Sequence, residues 1–384
     1  MALKARTPGQ LIDVLLGERG WDQRALAAVV GIDASNLNKI IAGKRRVDAE
    51  VAIALAEAFG VQPEQFLDLQ QAYDLAKART ILQPDEGRAN RAVLFGQLPI
   101  AEMINRGWLN VEGVQNVSRV EAELARFFGV KSSTEIEFLP HAAKKTDIAG
   151  PITPAQLAWI YRVKQIASEM VVGKYSRPAI HAAVKQLENL LKSAEEARKV
   201  PRILAECGIR FVIVESLKLA KIDGVCIWLD RNSPVIGMSF RFDRIDNFWF
   251  VLRHEIEHVL RGDGIDAIIL DAELDGERAG TSPGLSQEER AANEAAANFC
   301  VSSHHMDQFI ARKAPVVTKR DMLGFANTIH VHPGIVAGQI QRKLGRYDLF
   351  REQLVKVRSI VTPGAAVDGW GDVFPVLLEG SERV

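Results

Sequence analysis

Asn247-Phe-Trp-Phe-Val-Leu-Arg-His254-Glu255-Ile-Glu-His258-Val-Leu260 is the most chemically distinctive run of this 384-residue chain. It holds the pattern His-Glu-x-x-His. On a helix, His254 and His258 lie one turn apart on the same face. Their imidazoles can bind one zinc ion, Zn2+, at ~2.0–2.1 Å each. Glu255 projects ~100° round the helix from His254, near enough to a water at the metal to act as general base. Phe248 to Leu252 is apolar, and Val259 and Leu260 continue the run, which predicts a buried helix. Two histidines and a glutamate in such a helix need partners, and a metal supplies them. The competing reading is a core helix whose histidines hydrogen-bond to backbone.

Upstream, Pro201 to Gly208 reads as a short helix. Three runs rich in Val, Ile, Phe and Trp follow, at Arg210–Glu215, Val225–Leu229 and Pro234–Phe240, and predict strands. A small sheet followed by an active-site helix suits a zinc peptidase. Pro234–Phe240 is the expected edge, along which a peptide substrate would add as a further strand. Downstream, Ser286-Gln-Glu288-Glu289-Arg-Ala-Ala-Asn293-Glu294 predicts a helix. Glu289 and Asn293 share a face. Glu289 is a candidate third zinc ligand, and Asn293 a candidate hydrogen-bond partner for a ligating histidine. Ser286 and Glu289 also have the spacing of a capping box, which would occupy Glu289 locally, and Glu288 and Glu294 remain open as ligands. Further on, one of His330 and His332 could stabilise the oxyanion of a tetrahedral intermediate; His332 is the catalytic candidate of the two. The pair His304-His305 reads as a solvated helix end.

Residues of about 200–345 resemble the ImmA/IrrE family of metallopeptidases. The segments that carry the resemblance are Asp223-Gly-Val-Cys-Ile-Trp-Leu, Ser233-Pro-Val-Ile-Gly, Asp243-Arg-Ile-Asp-Asn-Phe-Trp-Phe, His254-Glu-Ile-Glu-His258 and Glu289-Arg-Ala-Ala-Asn293. The resemblance implies a zincin-like domain, a glutamate completing the zinc site, and cleavage of Cro/C1-type repressors under stress. Ala291 and Ala295 stand where that family commonly has glutamate and phenylalanine.

The first seventy residues predict five helices. Thr7-Pro-Gly-Gln10 is a capping box with proline at the first helical position, and that helix runs to about Arg19, where Gly20 stops it. Asp22 caps Gln23–Val30, closed by Gly31. A third helix spans about Ala34–Ile41 and ends at Gly43. Asp48 opens a fourth through Phe59, and Pro63 starts a fifth. Two short helices joined at Gly31 read as helix-turn-helix, with the third helix in a DNA major groove. Ser35, Asn36, Asn38 and Lys39 are its polar residues, Gln23 opens the preceding helix, and Lys44, Arg45 and Arg46 follow in position for phosphates. The segment holds eight Lys/Arg against nine Asp/Glu, so DNA affinity leans on this small patch and on a homodimer that doubles it.

The segment resembles the Cro/C1-type (XRE) helix-turn-helix domain, and in particular HigA-type antitoxin repressors. Thr7-Pro-Gly, Trp21-Asp-Gln23-Arg-Ala-Leu-Ala, Asn38-Lys-Ile-Ile-Ala-Gly43-Lys44-Arg45 and Pro63-Glu-Gln-Phe-Leu-Asp-Leu-Gln70 carry the resemblance. His332-Pro-Gly-Ile-Val-Ala-Gly matches a recurring stretch of HigA-like fusions.

Between these parts, Gln65 to Thr80 reads as a helix leaving the first domain, and helical patterns recur at about 88–107, 117–128, 153–172 and 178–199. Lys131 to Pro154 is rich in turn formers and reads as a flexible crossing. His141 and His181 are isolated and read as carrying no chemistry. The net charge is zero, so no global field recruits nucleic acid or a membrane. Cys207, Cys226 and Cys300 have neither metal nor disulfide spacing and fit reduced core thiols in a cytoplasm. No run approaches a membrane-spanning length.

The expected fold class is therefore α+β and mostly helical. The expected domains are a helix-turn-helix domain at 1–70, a helical linker, sensor or dimerisation region at 71–200, a zincin-like domain at 201–345, and a tail at 346–384 packing on it. The expected function is a cytoplasmic DNA-binding regulator with a zinc endopeptidase. Its partners would be a double-stranded operator and a protein substrate, either a repressor or the chain itself. The alternative is an antitoxin-type repressor whose metallo-domain senses a signal or binds a cognate toxin without turnover.

Overall fold

The computed structural model describes residues 5–82, 85, 87–136, 143–145, 152–218, 220–265, 268–271, 286–363 and 368–369. Two compact units divide it, Met1–Asn90 and Arg91–Val384.

The first unit contains α1 (Pro8–Arg19), α2 (Gln23–Val30), α3 (Ala34–Ile41), α4 (Ala49–Phe59) and α5 (Glu64–Ile81). Each start is set by a side chain that accepts an orphan backbone N–H. Thr7 accepts from Gln10, Asp22 from Ala25, Asp33 from Asn36 and Asp48 from Val51. Gly20, Gly31 and Gly60 close α1, α2 and α4 in the left-handed conformation that glycine adopts without steric cost. Ile12, Leu26, Leu37, Leu55 and Phe66 meet in one core. Gly9 permits the close crossing of α1 and α3, since a Cβ there would lie 2.1 Å from the Ile41 carbonyl oxygen.

The second unit begins with α6 (Gly87–Gln97), which straddles the division, then α7 (Ile100–Asn105) and α8 (Val117–Phe128). The pattern at 88–107 is thus broken at Leu98-Pro99, where proline ends one helix and permits the next. Strand β1 (Ala143–Lys145) follows, within the stretch expected to be a crossing without regular structure. Then come α9 (Pro154–Glu169), α10 (Arg177–Glu188), α11 (Val200–Glu206), β2 (Arg210–Val214), β3 (Gly224–Trp228), β4 (Pro234–Met238), α12 (Ile245–Arg261) and β5 (Ile268–Asp271). The chain continues through α13 (Gln287–Cys300), α14 (Ser303–Lys313), α15 (Lys319–Ile329), α16 (Pro333–Leu344), α17 (Arg358–Val361) and β6 (Asp368–Gly369). The pattern at 178–199 ends its α-helix at Glu188 and resumes as a 3-10 helix over Ala194–Lys199.

Among the described residues the strands form one mixed sheet in the order β1-β5-β3-β4-β2-β6. β4 pairs antiparallel with β3 on one side and parallel with β2 on the other. Pro234–Phe240 is therefore not the expected edge. Pro234 is tolerated because it stands at the first position of the strand.

Strands β2, β3 and β4 are buried on both faces, and the alternation of side chains distributes them between two cores. Phe211, Ile213, Cys226, Ile236 and Met238 face a core with Phe248, Trp249 and Leu252 of α12. Val212, Val214, Val225, Ile227 and Val235 face the other, built on Leu124 of α8 and Trp159 and Val163 of α9. The Trp159 indole donates to the Val214 carbonyl at 2.8 Å, and the Gln156 amide to that of Ala220 at 2.8 Å. The compact units thus differ from the expected division. No boundary falls at residue 200, because much of the region expected to be a linker forms one face of the sheet's core. The tail does dock in part. Val357 and Val361 join the α12 core, Asp243 accepts from the Val357 and Arg358 amides, and β6 extends β2. His141 lies outside the described residues.

Trp159 tests this shared core. Trp159→Ala removes a fully buried indole and its hydrogen bond to the Val214 carbonyl, so it should destabilise the whole second unit by about 3–5 kcal/mol. Chemical denaturation followed by fluorescence and circular dichroism checks this. A sheet that unfolds with unchanged midpoint would show that residues 91–200 are a separate module.

Candidate metal centre and nucleic-acid interface

α12 is apolar on most sides and packs into the core, which carries His254, Glu255 and His258 out of solvent. Helix α13 faces it. Ser286 caps α13 by accepting from the Glu289 amide at 3.2 Å. The reciprocal bond of a capping box is not made, and the Glu289 side chain turns inward instead. His254, His258 and Glu289 are each 1% exposed or less. Of the other carboxylates considered, Glu288 and Glu294 are exposed.

The two Nε2 atoms are 3.1 Å apart. His254 Nε2 lies 3.4 Å from Glu289 Oε2, and His258 Nε2 lies 3.1 Å from Glu289 Oε1. Both Glu289 oxygens are buried without a hydrogen-bond donor. Ligands of a tetrahedral zinc at ~2.0–2.1 Å stand about 3.3 Å from one another. The spacing, burial and chemistry of the three donors therefore fit one zinc ion. Among the described residues this is the one group of three or more such side chains close enough to share a metal.

Glu255 is fully buried beside the triad. It is seated against Gly224, the first residue of β3, where a Cβ would come within 2.0 Å of Glu255 Oε1. Any side chain at position 224 would displace that carboxylate. Neither this glycine nor Asp263 was picked out as functional from sequence. Asp263 Oδ2 lies 3.0 Å from His258 Nδ1. Asn293, expected in that role, is half-buried on α13. The signal for Asp263 was the triplet Gly262-Asp263-Gly264 directly after the helix. Both glycines adopt positive φ, +78° and +84°, and so turn the chain back.

His332 makes a local backbone contact. It is the N-cap of α16, and its Nδ1 accepts from the Gly334 amide at 3.0 Å. Its own amide donates to the Leu191 carbonyl at 2.7 Å. Gly334 packs against Ile245 at the start of α12, and His254 lies nine residues, about 13 Å, further along that helix. The Nδ1 of His332 is thus engaged as a helix cap near the start of α12. His330 closes α15 in the left-handed conformation, while His181, His304 and His305 are exposed. Cys207 and Cys300 are buried, and burial pushes both thiols up to about 12, so they are inert core residues.

In the first unit, α3 presents Ser35, Asn38 and Lys39 to solvent, while Leu37 and Ile40 face the core. Ser35, Asn38, Lys39, Lys44 and Gln23 line one open groove with Asp22 and Arg24. Arg24 is a cation that the sequence reading left out. Asn36 is half-buried and does not line the groove. Arg45 and Arg46 are exposed beyond it, and Arg46 pairs with Asp74 of α5 at 2.7 Å. The Asp33 carboxylate is engaged in capping α3 through the Asn36 amide at 3.2 Å.

Residues 12–66 match the family described as Helix-turn-helix. An uncharacterized HTH-type transcriptional regulator of Escherichia coli K12, YddM, is 33% identical over 86 residues, covering 22% of this chain and 89% of its own length. The chain belongs to the helix-turn-helix family. Virulence-associated protein I of Dichelobacter nodosus is 32% identical over 72 residues, 18% of this chain and 67% of its own length. The solved structure of an addiction module antidote protein of a HigA family from Coxiella burnetii is 29% identical, covering 20% of this chain and 94% of its own, with a TM-score of 0.18. The helix-turn-helix assignment thus rests on the N-terminal unit, and the buried triad stands on its geometry.

The cap at His332 yields a pH test. Burial holds its imidazole below the usual range, partly opposed by Glu195. As pH falls through about 6.5, the unfolded chain takes up this proton before the folded one, so stability is lost toward acid. His332→Asn keeps a capping acceptor and should lessen the acid loss, whereas His332→Ala should cost about 1 kcal/mol at neutral pH. Denaturation midpoints on either side of the histidine range check both, with metal content unchanged.

Proposed function

We propose that this chain is a DNA-binding transcriptional regulator whose second unit is a zinc-dependent endopeptidase acting on a protein substrate. The observation that carries the metal reading is the convergence of His254, His258 and Glu289 at 3.1–3.4 Å inside an apolar core. Electron-pair donors crowded there without solvent are stabilised by a cation between them. When bound, zinc would supply Lewis acidity and make a nearby water easier to deprotonate. Glu255, held in place by Gly224, takes that proton and returns it to the leaving amine. The resemblance to ImmA/IrrE peptidases supports this assignment, and a Cro/C1-type repressor or the chain itself is the substrate it suggests.

Base recognition falls to Ser35, Asn38 and Gln23, and phosphate contact to Lys39, Lys44 and Arg45. Because the patch is small, a homodimer on a two-fold operator supplies the rest of the affinity.

One observation favours a second reading. The donors and Glu255 are each 1% exposed or less, and β5 with β1 occupies the side of β3 away from β4. An antitoxin-type repressor whose metal site is structural or sensory, with no turnover, would bury its site in this way.

Elemental analysis of purified protein separates these readings from a metal-free core. The wild type should hold about one zinc per chain, lost in Glu289→Ala. Glu255→Gln should keep the zinc and abolish turnover of a peptide library. Zinc with no turnover in the wild type selects the second reading, and no zinc after metal is added back ends both.

For the first unit, Asn38→Ala should weaken binding to a selected operator by about 1–3 kcal/mol and relax its sequence preference. Lys44→Ala should weaken binding to all DNA and reduce the salt slope by about 1. Fluorescence anisotropy over a salt series distinguishes them, and equal affinity of wild type and Asn38→Ala for operator and random DNA would remove α3 as the reading helix.

A further inference from the structure

We infer that Asp263 is a positioning residue for the metal centre, and that strand β3 holds it in place through Trp228. The inference rests on the zinc reading above and adds to it what fixes the second histidine. A carboxylate oxygen accepts hydrogen bonds, so the 3.0 Å contact between Asp263 Oδ2 and His258 Nδ1 places the His258 proton on Nδ1. The lone pair is then on Nε2, which is the atom directed at Glu289 and His254. The same contact sets the rotation of the ring. A carboxylate behind a ligating imidazole also makes the imidazole a stronger donor.

Asp263 is held from several sides. The Trp228 indole donates to its backbone carbonyl at 2.9 Å, and the Cys226 thiol lies 3.6 Å from the same oxygen. Its amide donates to the His258 carbonyl at 2.9 Å, which ties the turn to the end of α12. Gly264 allows the turn to lie on β3, since a Cβ there would come 2.8 Å from the Cys226 carbonyl oxygen. Arg261 Nε meets Asp263 Oδ2 at 3.2 Å, so the oxygen facing His258 accepts from both sides. β3 therefore acts at both of its ends. Gly224 seats Glu255, and Trp228 seats the residue that orients His258.

A residue that only completed a helix end would alter folding and leave metal affinity alone. A positioning residue alters affinity in protein that still folds. Zinc affinity of the full-length chain is measured by competition with a chromophoric chelator, beside the melting temperature of the metal-free protein. Asp263→Ala should bind zinc 10- to 100-fold more weakly than wild type. Asp263→Asn keeps the shape and a neutral acceptor, so it should fold even where the alanine variant does not, and should lose about tenfold. Trp228→Phe keeps the ring in the core but removes the donor to the turn, and should lose severalfold. Cobalt substitution gives a second readout, because its visible bands shift when His258 is no longer held. Wild-type affinity in both Asp263 variants, or in Asp263→Asn alone if the other does not fold, overturns the inference and leaves the zinc reading standing. A wild type that takes up no zinc overturns the zinc reading and this inference with it.

Discussion

Burying two imidazoles and the Glu255 carboxylate in a helix otherwise surrounded by aromatic side chains is the constraint on which the second unit depends. Polar groups taken from water without partners cost several kcal/mol each. Phe248, Trp249, Phe250 and Leu252 draw α12 into the core, and they carry His254, Glu255 and His258 with them. The surrounding elements answer that cost locally. α13 brings Glu289 to the histidines, the turn after α12 brings Asp263, and β3 supplies the one residue without a side chain where Glu255 needs room. The metal reading follows from this arrangement of donors, and the peptidase reading adds to it the identity of Glu255.

The first unit works under the opposite constraint. Its groove-lining residues Gln23, Ser35, Asn38, Lys39 and Lys44 lie at the surface. The core of Ile12, Leu26, Leu37, Leu55 and Phe66 packs α1 to α5 together and so holds α2 and α3 against each other. Four helix caps and three glycine stops set the helix lengths, so the groove between Gln23 and Lys44 is preformed. A weakly charged domain with a small cationic patch gains most from such rigidity, because little electrostatic energy is available to reshape it on DNA.

The legibility of these two units differed for a physical reason. Caps, left-handed glycines and helical periodicity are local, and they placed the boundaries of α1 to α4 at residues readable in sequence. The same held for the His-Glu-x-x-His helix and for strands β2, β3 and β4, where β-branched and aromatic runs stand out. The Ile268-Ile-Leu run of β5 is not among the expected strands, while the three-residue β1 and the two-residue β6 carry no such pattern. They are strands only because a neighbouring strand offers them hydrogen bonds. Pro234–Phe240 was the expected substrate-binding edge, yet a proline at a strand's first position leaves the other amides free to pair on both sides.

By itself, then, the sequence determined what depends on near neighbours along the chain. That includes the helix-turn-helix unit, the pairing of His254 with His258, and the candidacy of Glu289 over a helical turn shared with Asn293. The tertiary structure decided what depends on distant segments meeting. It turned Glu289 inward in place of Glu288 or Glu294, placed Asp263 rather than Asn293 behind a histidine, and assigned His332 to a helix cap. It also made helices α8 and α9 one face of the sheet's core. The periodicity of an amphipathic helix says that one face will be buried, but not against what; that is settled only when the apolar faces of the sheet and helices compete for one another in the folded chain.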